Sequence, residues 1–127
     1  MENYPITKQN SSYLFNIVVP LFNAEKYIEK CLNSIIKQSY KKFHVQIVDD
    51  CSTDCSYDIA SSICNKHDNF EIIKNSRRLG ALNNIFNLLN KKIKEPSRTI
   101  DILIDGDDYL YSGDVLNIIN EKYLKNN

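Results

Sequence analysis

Four short apolar runs, each closed by a polar or acidic turn and each followed by a segment of helical periodicity, leave this sequence few folds to choose from. The first run is Phe15-Asn16-Ile17-Val18-Val19-Pro20. It is β-branched and closed by proline, as expected of a strand buried on both faces. Further strands are predicted over 43–48, 70–74 and 99–104. Between them apolar residues recur at helical spacing: Tyr27, Ile28, Cys31, Leu32, Ile35 and Ile36 within 24–38, then Ile59, Ala60, Ile63 and Cys64. A third helix opens at Gly80 and carries Leu82, Ile85, Phe86 and Leu89; a fourth carries Val115, Leu116, Ile118, Ile119 and Tyr123. Asn23, Ser52-Thr53-Asp54 and Ser112 stand where helix caps are expected.

Each crossover is long enough to return a helix to a parallel neighbour, and such crossovers are right-handed. The predicted fold is an open, doubly wound, mostly parallel α/β sheet with helices on both faces. Residues 1–13 read as an extended lead-in and 14–127 as one domain, a size that 127 residues suit. Ligands of this architecture sit outside the carboxyl ends of the strands, where strand order reverses. The polar clusters fall at those ends: 20–23, 49–54, 77–80 and 105–108.

Asp49, Asp50, Asp105, Asp107 and Asp108 are expected to crowd that edge. Neighbouring carboxylates repel, and a divalent ion removes the repulsion. Oxygen ligands favour Mg²⁺, Mn²⁺ or Ca²⁺, and Mg²⁺-type sites pair one or two carboxylates with substrate phosphates. Only three glycines are present, too few for a glycine-rich phosphate loop. A diphosphate held through metal is the alternative. The residues alone leave open that these aspartates are turn formers and caps, since Asp105-Gly106 is a common turn pair. Arg77 and Arg78 can face a phosphate or form a solvated basic loop. Phe22 can stack on a planar base or pack in the core. His44 lies mid-strand and His67 ends a helix; neither carries a functional signal.

Sixteen basic and sixteen acidic residues cancel, and neither half of the chain is strongly biased, so a nucleic-acid or anionic-membrane footprint is not expected. No apolar run approaches ~20 residues, which excludes a transmembrane helix. The polar N-terminus lacks a secretory signal, and the expected location is cytoplasmic. Cys31, Cys51, Cys55 and Cys64 are then free thiols. Cys51 and Cys55, with Cys64 and His67 beyond, lack the two tight pairs of a usual zinc site.

Val18-Val19-Pro20-Leu21-Phe22-Asn23, Cys31-Leu32-Asn33-Ser34-Ile35 with Gln38-Ser39-Tyr40, Val48-Asp49-Asp50-Cys51-Ser52-Thr53-Asp54 and Ile104-Asp105-Gly106-Asp107-Asp108 follow one another in order. Together they resemble the nucleotide-sugar half of a family 2 glycosyltransferase with the GT-A (Rossmann-like) fold, over about 14–124. The resemblance implies that Asp50 bonds a uracil bordered by Pro20 and Phe22, with Asn23 alongside. It implies that Asp105, Asp107 and Asp108 match the D-x-D-D region on the ribose and metal, with Asp107 and Asp108 as metal ligands. The segment 78–84 resembles the one near the phosphates, so Arg77 or Arg78 reaches the donor. Cys51 and Cys55 stand where the family usually has glycine, and Asn83 where many members have arginine.

The function implied is Mn²⁺- or Mg²⁺-dependent transfer from a UDP-sugar to a glycan, protein or lipid acceptor. The acceptor half and its general base are expected to be absent from these residues, so the catalytic residue is unassigned. The alternative is a non-catalytic nucleotide-sugar-binding or assembly module. A phosphatase-like use of Asp105 and Asp107 needs the motif on a first strand, which it does not occupy. A sheet left open beyond its fourth strand is expected to self-associate as a homodimer.

Overall fold

The computed structural model describes residues 12–90 and 98–126. Strands and helices alternate: β1 (Leu14–Leu21), α1 (Ile28–Ile36), β2 (Phe43–Asp49), α2 (Ser56–Cys64), β3 (Phe70–Lys74), α3 (Ala81–Leu89), β4 (Thr99–Leu103) and α4 (Val115–Lys125). Most of the predicted lead-in lies outside the described residues, as does 91–97 of the expected connection before β4.

The sheet order is β3-β2-β1-β4, and every pairing is parallel. The chain steps outward from β1 to β2 to β3, and then returns through α3 to the other side of β1. Strand order therefore reverses between β1 and β4, and a crevice opens at their carboxyl ends.

Alternation along β1 divides the core. Phe15, Ile17, Val19 and Leu21 pack with α1, α2 and Leu116 of α4, whereas Val18 and Val48 meet Leu88 of α3 on the opposite face. In α1, Ile28, Cys31, Leu32 and Ile35 fall at helical spacing and are fully buried. Each large aliphatic side chain so buried contributes about 1.5–3 kcal/mol.

The cap expectations need correction. Asn23 does not cap α1: residues 24–27 form a turn, α1 begins after Tyr27, and Asn23 Oδ1 instead accepts the Thr53 amide at 2.8 Å. Ser112 does not cap α4 either. Asp114 takes that position, and the Ser112 hydroxyl donates to its carboxylate. The first amides of α4 are met from elsewhere in the chain, where Gln38 Oε1 accepts the Leu116 amide at 3.1 Å.

Proline does not end β1. The strand continues to Leu21, whose carbonyl accepts the Asp50 amide at 2.9 Å and sets Asp50 beside the β1 turn. All four cysteines are free, with Cys31 and Cys64 buried as read. Burial, followed by the charges of Asp108, Asp107 and Asp105, pushes the Cys31 thiol up to about 12. Burial, opposed by a backbone hydrogen bond, takes Cys64 up to about 11. Neither forms a reactive thiolate at neutral pH.

Candidate functional site

At the carboxyl ends of β1, β2 and β4 lies a cavity of about 330 Å³, lined among others by Pro20, Phe22, Asn23, Asp50, Arg78, Asn84, Asp105 and Asp107. Its residues come from the turns after β1, β2 and β4 and from the entry to α3. A strand-order reversal brings these segments together.

Asp50 is the anchor of one wall. It is 3% exposed, and its two carboxylate oxygens accept four hydrogen bonds. Oδ1 takes the Leu79 amide at 2.8 Å and Asn75 Nδ2 at 3.1 Å. Oδ2 takes the Gly80 amide at 3.0 Å and Arg78 Nε at 3.1 Å. Burial by itself would raise this carboxyl; the Leu79 amide, Asn75 and the Gly80 amide outweigh it and hold Asp50 well below the usual carboxylate range. The turn can present those amides because Gly80 takes φ +86°, a conformation suited to glycine. A Cβ at Gly80 would meet nothing within 4 Å, so the constraint is on the backbone.

Above Asp50, the Arg78 guanidinium lies face-on to Phe22, with Cζ 3.5 Å from the ring centroid. Phe22 is 40% exposed, which rules out its core-packing alternative. Asn84 is buried and belongs to the same network: its Oδ1 accepts Asn75 Nδ2 at 2.7 Å. Its own Nδ2 is one of two buried side-chain polar atoms without a partner among the described residues.

The opposite wall is acidic. Carboxylate oxygens of Asp105, Asp107 and Asp108 can all come within 4.8 Å of one another, and all three residues are exposed. This is an all-oxygen, hard donor set, which fits Mg²⁺ or Mn²⁺ and does not resemble a zinc centre. Gly106 lets the turn close against β1, its amide donating to the Pro20 carbonyl at 3.1 Å. Base-sized space, acidic oxygens and a cation thus line one cavity.

A model of the family described as glycosyl transferase family 2 matches residues 16–123. The chain belongs to glycosyltransferase family 2. Poly(ribitol-phosphate) beta-N-acetylglucosaminyltransferase TarS of Staphylococcus aureus is 35% identical over 98 residues, covering 76% of this chain and 16% of TarS. The poly(ribitol-phosphate) beta-glucosyltransferase of Bacillus spizizenii is 34% identical over 110 residues, covering 83% and 16%. The crystal structure of S. aureus TarS 1–349 in complex with UDP superposes with a TM-score of 0.74 at 30% identity, covering 89% of this chain and 32% of that one. The fold is that of GT-A glycosyltransferases, and the chain spans about a sixth of the length of these curated relatives.

Within this family 2 domain, the cavity gathers Pro20, Phe22, Asn23, Asp50, Arg78, Asp105 and Asp107. Arg77 is exposed and does not line it; Asp108 joins only through the acidic group. Asp49 leaves the expected carboxylate cluster. It is fully buried and its oxygens accept the Ser52 hydroxyl at 2.6 Å and the Ser52 amide at 3.2 Å, holding the turn that presents Asp50. Asp50 also stands apart from the acidic group, on the opposite wall. His44 lies 3.6 Å from Glu71, and His67 packs against Phe70, both away from the cavity.

Sequence reasoning missed Asn75 and Asn84. The available signal was an asparagine directly after an apolar strand, and another one helical turn beyond Gly80. Cys51, which stands where the family usually has glycine, adopts φ +61°. A left-handed backbone is the reason glycine suits that position.

Proposed function

We propose that this domain binds a UDP-sugar donor and a divalent ion for sugar transfer. The observation that carries the reading is the single cavity holding Asp50 and Phe22 on one wall and Asp105 and Asp107 on the other. Asp50 accepts the N3–H of uracil, Phe22 and Pro20 border the ring, and Asn23 closes that end. Asp105 meets the ribose. Arg78, with Arg77 nearby, supplies positive charge for the donor, and Asp107 and Asp108 hold Mn²⁺ or Mg²⁺. When bound, such an ion offsets negative charge developing on a leaving diphosphate. The UDP complex of TarS and the TarS name support UDP-GlcNAc as the first donor to try.

The acceptor is a glycan, protein or lipid, and the general base is not assigned to any residue described here. No helix among the described residues is long and apolar enough to cross a membrane. A cytoplasmic setting is part of the same reading. The alternative reading is a non-catalytic nucleotide-sugar-binding or assembly module.

The test is UDP release from UDP-GlcNAc in Mn²⁺, with and without acceptor polymer, alongside UDP binding by calorimetry. Binding with release supports the transferase, and binding without release supports the module. Absence of UDP binding removes both.

A further inference from the structure

Asp50 has no acceptor capacity to spare. A carboxylate offers about four lone-pair sites, and the Leu79 amide, the Gly80 amide, Asn75 and Arg78 fill four. Any ligand N–H that bonds Asp50 must therefore displace one of them. The Leu79 and Gly80 amides belong to the turn that starts α3, and moving them would unwind it. Asn75 also holds the buried Asn84, at 2.7 Å. Arg78 is different: its side chain is 55% exposed, against 5% for that of Asp50. Its half-exposed guanidinium can swing into solvent without disturbing the backbone, so this contact is the one that yields.

Arg78 also fills the space in which a base would lie. Its guanidinium is planar, stacks 3.5 Å from the Phe22 centroid, and presents an N–H to Asp50 from the same position. A uracil ring stacked on Phe22 with N3–H on Asp50 would make the same two contacts. Two planar groups cannot occupy one slot.

We propose that Arg78 is an internal occupant of the base slot in the free protein, a positioning residue that nucleoside binding expels from Asp50 and Phe22. This rests on the reading of the cavity as a nucleotide-sugar site and adds what holds it closed. Removal of Arg78 then has a sign that depends on the ligand. Uridine only competes with the guanidinium, so it gains from its removal. UDP gains less or loses, because its diphosphate is attracted to the same cation.

The experiment is calorimetric titration of uridine and of UDP, each in Mn²⁺, into wild type, Arg78→Ala and Arg78→Lys. For Arg78→Ala uridine should bind roughly three- to thirtyfold tighter, the range expected when a cation–π contact no longer competes. The preference for UDP over uridine should shrink. Arg78→Lys keeps the charge but not the planar face, and should lie between. Arg78→Ala that binds uridine as weakly as wild type, or more weakly, while UDP still binds wild type, overturns this inference and leaves the site reading intact. A wild type that binds neither ligand overturns both. Should Arg78→Ala fail to fold, the Nε–H resonance of Arg78 in wild type decides: it should lose its hydrogen-bonded shift on addition of uridine, and an unmoved resonance at saturation overturns the proposal.

Discussion

Gly106 rests on Pro20: its amide donates to the Pro20 carbonyl at 3.1 Å, and a Cβ at Gly106 would sit 3.3 Å from that oxygen and 3.0 Å from Leu21 Cδ1. Leu21 is 1% exposed and cannot swing aside, so the need for glycine here is one of space. This contact ties the acidic turn to the end of β1, and both line the cavity. Gly106→Ala should destabilise the fold by about 1–3 kcal/mol, the usual cost of overpacking, and weaken UDP binding as the acidic turn moves outward. Denaturant unfolding and UDP titration of the same protein check both effects.

Asp50→Asn replaces an all-acceptor group with one that turns an amide toward backbone N–H donors. The expected cost is about 1.5–3 kcal/mol of stability, with UDP binding weakened tenfold or more. The pH dependence follows from the lowered carboxyl. Its contribution is complete above the unfolded carboxylate value near ~4 and is lost as pH falls below it toward the depressed folded value. The stability gap between wild type and Asp50→Asn should therefore be widest at neutral pH and narrow on acidification below about pH 4. A gap that stays constant down to acid unfolding would show that the charge of Asp50 contributes nothing.

Cys51 stands at φ +61° with its thiol 3.1 Å from the Asn75 carbonyl. A left-handed non-glycine residue costs about 1–2 kcal/mol, partly recovered here by that weak contact. Cys51→Gly should raise stability by up to about 1 kcal/mol, whereas a β-branched Cys51→Val should lower it by at least that much. Thermal unfolding under reducing conditions separates the two signs.

Much of this was legible from the residues. The four strands follow from β-branched apolar runs, and β3 falls on Phe70–Lys74 as read. The cavity follows from polar clusters at strand ends plus the handedness rule. The orientation of α3 was not legible. Its apolar stripe Leu82, Phe86 and Leu89 is exposed at 80%, 64% and 41%, while Asn84 and Leu88 face inward. Periodicity alone would bury the stripe; the bonds that Asn75 donates to Asn84 and to Asp50 turn the helix the other way. These contacts join residues 9 and 25 positions apart, beyond the reach of helical periodicity. The same holds for Asn23, whose partner Thr53 is 30 residues away.

β4 is an edge strand among the described residues, and Leu103 at its end is 53% exposed. An open edge with an apolar flank favours pairing with a second copy. Sedimentation should show a dimer that Leu103→Lys weakens; a monomer at high concentration would contradict this.

The donor site is tested most directly by titrating UDP and uridine, each with Mn²⁺ and with chelator, into wild type and Asp107→Asn. Clustered carboxylates should hold the ion weakly alone and more tightly once a diphosphate shares it, so UDP and Mn²⁺ should reinforce each other by one factor in either direction. Uridine should gain little from Mn²⁺, and Asp107→Asn should lose most of the coupling while binding uridine as wild type does. UDP bound by wild type equally well in chelator would contradict the metal-held diphosphate and return Asp105, Asp107 and Asp108 to the role of turn formers.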